Sequence, residues 1–129
     1  MFTINEIKVA HSKVKSGADF PTYIKEIKAL GVISYDAYVS DGHVDYFGTD
    51  DHTATAPAKY DPLLVAVNAD ADQFKADLKS HQQGQTDYPS FCNDCAKSGI
   101  EKWKVDLDQM TCTYYDAGGK EVLIEQIPG

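Results

Sequence analysis

Arginine is absent: the 12 basic residues of this 129-residue chain are all lysine, against 20 acids and a net charge of −8. Lysine offers a compact point charge, whereas the planar fork that grips a phosphate or a base edge bidentately belongs to arginine. An acidic chain without that fork is a poor candidate for sequence-specific nucleic-acid binding. Acidity suits either plain solubility or docking on a basic partner. Long apolar runs are also missing, and nothing approaches the roughly 20 residues that span a bilayer. Met1-Phe-Thr-Ile-Asn-Glu6 has no basic segment followed by an apolar stretch, which leads us to expect a cytoplasmic protein. Cysteine is scarce, with three residues. An odd number without a leader points to free thiols in a reducing compartment.

What is present is ordinary for one globular domain. Hydrophobic residues make up 43% and charged residues 25%, enough for a real core at this length. The charge is uneven: residues 1–48 carry 6 acids and 5 lysines, residues 49–129 carry 14 acids and 7 lysines. No internal repeat or low-complexity segment stands out.

Thr3-Ile-Asn-Glu6 is a capping box, and Ile4, Ile7, His11 and Val14 recur at helical spacing, predicting a helix over 4–15 that Ser16-Gly17 ends. His11 lies on that stripe and reads as a packed core-edge histidine ahead of a ligand. A second helix starts near Asp19, takes Pro21 in its first turn and stops at Gly31. Residues 31–48 then read as a β-hairpin turning at Asp41-Gly42. A two-residue turn pairs Ser40 with His43, Tyr38 with Asp45 and Asp36 with Phe47. Ile33, Tyr35, Ala37, Val39, Val44 and Tyr46 fall on the apolar face. Residues 49–62 show no periodicity and read as a long loop. Leu63 to Val67 reads as a short buried strand. Helices follow from Asp70 to near Gly84 and from Thr86 to Gly99. Trp103, Val105 and Leu107 then open a meander that turns at Asp108-Gln109 and Gly118-Gly119. The order ααββ-loop-βααβββ gives a single α+β domain over 1–129, with a mostly antiparallel sheet of five to six strands and helices on one face.

Two constellations carry chemistry. The polar face of the hairpin gathers Asp36, Tyr38, Ser40, His43 and Asp45, which suits a binding surface using Tyr38, Ser40, His43 and Asp45 as well as a solvated face of cross-strand polar pairs. A His–carboxylate pair also supports general acid–base work or a divalent metal, with His43, Asp45 and His52 as ligands for Zn, Mn or Fe. The second is Cys92-Asn-Asp-Cys95, a thiol pair on one helix face. It fits inert buried thiols, a metal site completed by other ligands, or a redox switch. No phosphate loop, nucleophile elbow or zincin motif is present. The leading expectation is a small binding protein for a protein or small molecule, with no cofactor. A metal-assisted hydrolase or lyase and a thiol switch are the alternatives.

Three stretches carry a resemblance: Ala10-His-Ser-Lys-Val-Lys-Ser-Gly-Ala-Asp-Phe-Pro21; Tyr38-Val-Ser-Asp-Gly-His43 with Tyr46-Phe-Gly48; and Lys102-Trp103 through Met110-Thr-Cys-Thr-Tyr-Tyr-Asp116. In them the chain resembles a family of uncharacterised bacterial and prophage proteins typified by YdfO and YbcV. The resemblance implies a single α+β domain of bacterial or phage origin without an established activity, and it supplies no catalytic residues. Some relatives carry a phage envelope label, for which these residues give no support.

Overall fold

The computed structural model describes residues 2–14 and 19–127; the expected helix stop at Ser16-Gly17 lies outside them. The capping box forms as read, with Glu6 N–H donating to Thr3 Oγ1 at 3.2 Å and Thr3 N–H donating to Glu6 Oε1 at 3.1 Å. Helix α1 (Ile4–His11) is shorter than its periodicity predicts. Ser12 Oγ donates back to the Val9 carbonyl at 2.6 Å, the local competition by which serine weakens a helix end. Helix α2 (Phe20–Leu30) ends at Gly31, whose φ of 109° is open to glycine and strained for other residues.

Strands β1 (Val32–Tyr38), β2 (Val44–Gly48) and β3 (Thr53–Ala56) follow. Helices α3 (Ala71–Gln82) and α4 (Tyr88–Lys97) come next, capped by Asp70 and Asp87. Strands β4 (Ile100–Asp106), β5 (Thr111–Asp116) and β6 (Glu121–Gln126) close the chain. The six strands form one antiparallel sheet in the order β3-β2-β1-β4-β5-β6. This is the single α+β architecture expected, with the third strand elsewhere in the chain.

That strand lies inside the stretch read as a loop. Thr53 and Thr55 face out while Ala54 and Ala56 turn inward, an alternation too short and too small in side chain to register as apolar period two. Residues 63–67 form no strand: Leu64 is 97% and Val67 83% exposed, with only Leu63 and Val65 packed on the core. They belong to a crossover that ties itself down by backbone bonds, Leu63 N–H to Ser40 O at 2.6 Å and Ala66 N–H to Ala96 O at 2.9 Å.

The core lies between the helices and one face of the sheet. Tyr35, Ala37, Val44, Tyr46, Trp103, Val105, Cys112 and Tyr114 are buried there with Ile24, Ile27, Phe74, Leu78 and Phe91. Ile33, expected on this face, is 38% exposed while Val32 is buried, because a bulge between Val32 and Ser34 slips the alternation by one.

The element order repeats: ααβββ, then ααβββ. Apolar periodicity does not reveal this, because it reports the type of each element and not a correspondence between elements tens of residues apart.

Candidate functional site

The hairpin register differs from a two-residue turn. Asp36 faces Asp45, Ala37 faces Val44 and Ser34 faces Phe47, while Tyr38 N–H donates to His43 O at 3.0 Å. The chain therefore turns over residues 39–42. A type I′ turn needs positive φ at both central residues, and of Asp41 and Gly42 only Gly42 adopts it, at 79°. Val39 is fully buried and donates to Glu101 O on β4, so the sheet takes it out of the hairpin ladder. The ladder moves by two positions, an even shift that leaves each side chain on its expected face. It changes the neighbours.

Asp41 is consequently the carboxylate beside His43. Its Oδ1 accepts the His43 backbone N–H at 3.0 Å and lies 2.5 Å from His43 Nδ1. These hydrogen bonds hold the Asp41 carboxyl below its ordinary range. The imidazole also stacks on Tyr38, with centroids 4.3 Å apart and planes 8° from parallel. Donation from Nδ1 to the carboxylate leaves Nε2 as the ring's second nitrogen for a partner. Asp45 accepts from Thr55 Oγ1 at 2.8 Å, and Ser40 lies in the turn.

Across the helix-free face a continuous row runs from the hairpin turn over three strands. His43 stacks on Tyr38, and Lys102 Nζ lies 5.6 Å from the Tyr38 centroid and 5.4 Å from that of Tyr115. The ammonium thus sits over two aromatic faces. Partial burial and the Asp36, Asp45 and Glu101 charges raise the Tyr38 phenol above its usual value. The next row holds Asp45, Asp36, Lys104 and Thr113. Asp36 and Asp45 oppose each other directly, and Asp36 Oδ1 is buried without a hydrogen-bond partner.

His52 is not brought to this face. It lies past the far end of β2, where Nε2 donates to the Phe2 carbonyl at 2.9 Å and the ring meets Phe2 edge-on at 4.5 Å. The loop after Gly48 turns back into β3, which carries the histidine towards Phe2 and away from His43. The expected set His43, Asp45 and His52 is therefore not assembled. Among the described residues no group of three or more His, Cys, Asp and Glu is placed to hold a metal ion.

The thiols are core residues. Cys92 and Cys95 on α4 and Cys112 on β5 are free and buried. Burial raises all three, the Cys112 thiol to about 12, although the Tyr60 and Tyr88 hydroxyls pull Cys92 back in part. Raised thiols hold little thiolate at neutral pH. His11 keeps one side in solvent while its ring meets Tyr23 and Tyr88 edge-on at 5.2 and 6.5 Å, and burial of the other side lowers its pKa.

Sequence reasoning missed Asp41, Lys102 and Tyr115 as members of this surface. The alternation of Lys102 and Lys104 with Trp103 and Val105 already put the lysines opposite the core. The missing signal was that β1 pairs with β4, a contact some 70 residues apart. Among the described residues no helix is long and apolar enough to cross a membrane.

No curated protein matches the chain. A family profile, described as a protein of unknown function, matches residues 8–126. With nearly all of the sheet and helices inside that match, the chain belongs to the DUF1398 family.

Proposed function

We propose that this chain is an interaction protein that docks a basic partner on the helix-free face of its sheet. One observation carries the reading: Asp36 and Asp45 stand directly opposite on that face, and Asp36 Oδ1 is buried with no donor. Like charges directly opposed across strands destabilise a sheet by about 0.2–1 kcal/mol, and a buried carboxylate oxygen without a donor adds to that. Lys104 faces Asp36 from β4 yet leaves Oδ1 without a hydrogen bond, so a partner lysine or arginine reaching the Asp45 side supplies the donor and offsets the repulsion. Tyr38 lies two residues along β1 from Asp36, and with Tyr115 on β5 it already accommodates the Lys102 ammonium between them. Aromatic faces of this kind anchor interfaces, and the net charge of −8 steers a basic surface towards them. Tyr38, Ser40, His43 and Asp45 form the hairpin side of the surface, and Lys102 and Tyr115 the other. The resemblance to YdfO and YbcV makes a bacterial cell or its prophage the setting for that partner.

The test is affinity measurement against a lysine-rich peptide and against partners captured from a lysate. The Asp36→Asn/Asp45→Asn double variant should weaken binding at least tenfold, and so should Tyr38→Ala. Binding by the parent should fall as salt rises. Leu64→Ala, on the crossover, serves as the control that changes nothing. Retention of full affinity by the double variant and by Tyr38→Ala overturns the reading.

A further inference from the structure

We infer that the chain is a tandem duplication of a self-pairing ααβββ unit. The partner that the β1 edge fits is thus a second copy of the same unit, which the chain supplies to itself as β4. The observations are independent of the docking reading above.

The first is sequence at constant spacing. Asp19-Phe-Pro-Thr-Tyr23 has its counterpart in Asp87-Tyr-Pro-Ser-Phe91, and Gly31 in Gly99, 68 positions on. With no insertion, Val32 then falls on Ile100, Tyr35 on Trp103, Ala37 on Val105, Val39 on Leu107, Val44 on Cys112 and Tyr46 on Tyr114. All of these are buried. Even the caps before the first helix of each half agree in kind, Thr3 with Glu6 and Asp70 with Gln73.

The second is backbone geometry that the shared topology does not require. Both second helices end on a left-handed glycine, Gly31 at φ 109° and Gly99 at 79°. Both following strands slip at the same place, between Val32 and Ser34 and between Ile100 and Lys102. Both turns carry one left-handed residue at the same position, Gly42 at 79° and Met110 at 56°. Methionine pays for that conformation where glycine does not, so the turn shape is held by something other than local preference.

The third is the seam. Exchanging the halves reverses β3-β2-β1-β4-β5-β6 onto itself, and the antiparallel pairing of β1 with β4 makes the exchange a two-fold rotation about an axis through the sheet. Under it the pair Ser34 with Asp106 becomes Lys102 with Tyr38, and Tyr35 with Val105 becomes Trp103 with Ala37; all four pairs are observed. The bond from Val39 N–H to Glu101 O at 2.9 Å becomes the bond from Leu107 N–H to Ile33 O at 3.0 Å. Asp36 with Lys104 maps onto itself and marks the axis. Isologous pairing of this kind is how two identical units close a sheet. On the helix-free face the halves have diverged: Asp36 stands against Lys104, Ser34 against Lys102 and Asp45 against Thr113. Core positions keep their chemistry, while the open face has become one-sided.

The test is a symmetric tandem in which residues 2–69 are followed by a second copy of 2–56. Asp36→Lys in the second copy preserves the oppositely charged pair at the axis. A mirror tandem repeats 70–127 through the 57–69 crossover, with Lys104→Asp in one copy. A permuted chain, 70–127 then 57–69 then 2–56, retains the natural residues of both halves. Duplication predicts that at least one tandem is a folded monomer in whose amide spectrum equivalent positions of the two repeats coincide or nearly so, except near the substituted axis residue, the crossover and the chain ends. Two unfolded or aggregated tandems overturn the inference. If the permuted chain folds in that case, the halves are complementary and not equivalent; if it also fails, they are not exchangeable units.

Discussion

The two left-handed glycines offer a measurement in which one half of the molecule controls for the other. Gly31→Ala and Gly99→Ala both place a Cβ at positive φ, which costs about 1–2 kcal/mol for an L-residue. At Gly31 the added atom has room, since its nearest neighbour is Phe2 Cδ2 at 3.9 Å. At Gly99 it lands 2.5 Å from Asn68 O and 2.8 Å from Ala69 Cα, both backbone atoms. The crossover cannot withdraw freely, because Ala66 N–H is bonded to Ala96 O and Asp70 N–H to Ser98 O, each at 2.9 Å. Overpacking against a fixed wall adds about 1–3 kcal/mol. We therefore expect Gly31→Ala to lose about 1–2 kcal/mol and Gly99→Ala about 2–5 kcal/mol. Urea unfolding followed by Trp103 fluorescence and far-UV circular dichroism measures both, with an unchanged m-value showing that the change lies in stability. Equal losses, or a larger loss at Gly31, would refute the reasoning that the crossover is clamped against the exit of α4.

Removing charge from the opposed pair on the side away from Lys104 should stabilise: Asp45→Asn, whose side-chain oxygen can still accept from Thr55, is expected to gain about 0.5 kcal/mol in urea, and a loss would show that the carboxylate serves the free protein's own fold. His81 stacks on Phe91 at 4.4 Å, and burial lowers its pKa despite the Thr86 carbonyl and the Asp87 and Asp94 charges. A pKa depressed on folding means the unfolded chain binds more protons. Its contribution is thus complete above about pH 6.5 and lost as pH falls through the folded value. Melting temperature should drop between about pH 7.5 and 5.5, and His81→Gln should shallow that drop; an unchanged slope counts against it. The three free thiols are buried and raised. They should resist a thiol reagent at about pH 8 in the native protein and react fully in urea, whereas a fast native Cys92 would revive the switch.

Much of the local structure was legible because its causes are local. Thr3 with Glu6, Pro21 with Gly31 and Asp87 with Pro89 are start and stop signals whose physics spans a single turn. The β4–β5 register followed from the alternation of Trp103, Val105 and Leu107 with Cys112 and Tyr114. Alternation also put Tyr38, His43 and Asp45 on one face, and an even register shift could not undo it. The turn, the third strand and the site's membership were not legible, since each depends on a distant contact. Val39 leaves the hairpin because Glu101 accepts its N–H; Thr53–Ala56 becomes a strand because β2 has a free edge to template it. His52 goes to Phe2, and Asp36 lies between Asp45 and Lys104, because of where β2, β3 and β4 lie relative to β1. By itself the sequence determined the helices, the strands other than Thr53–Ala56, most of their faces and the free-thiol, arginine-free, acidic character of the chain, all set by nearest neighbours and composition. The 68-residue correspondence of the halves is also written there, in Asp19-Phe-Pro-Thr-Tyr23 and Asp87-Tyr-Pro-Ser-Phe91, but it is sparse enough that the shared backbone geometry is what makes it plain. Only the tertiary structure decided which faces adjoin, because that depends on hydrogen bonds between strands tens of residues apart.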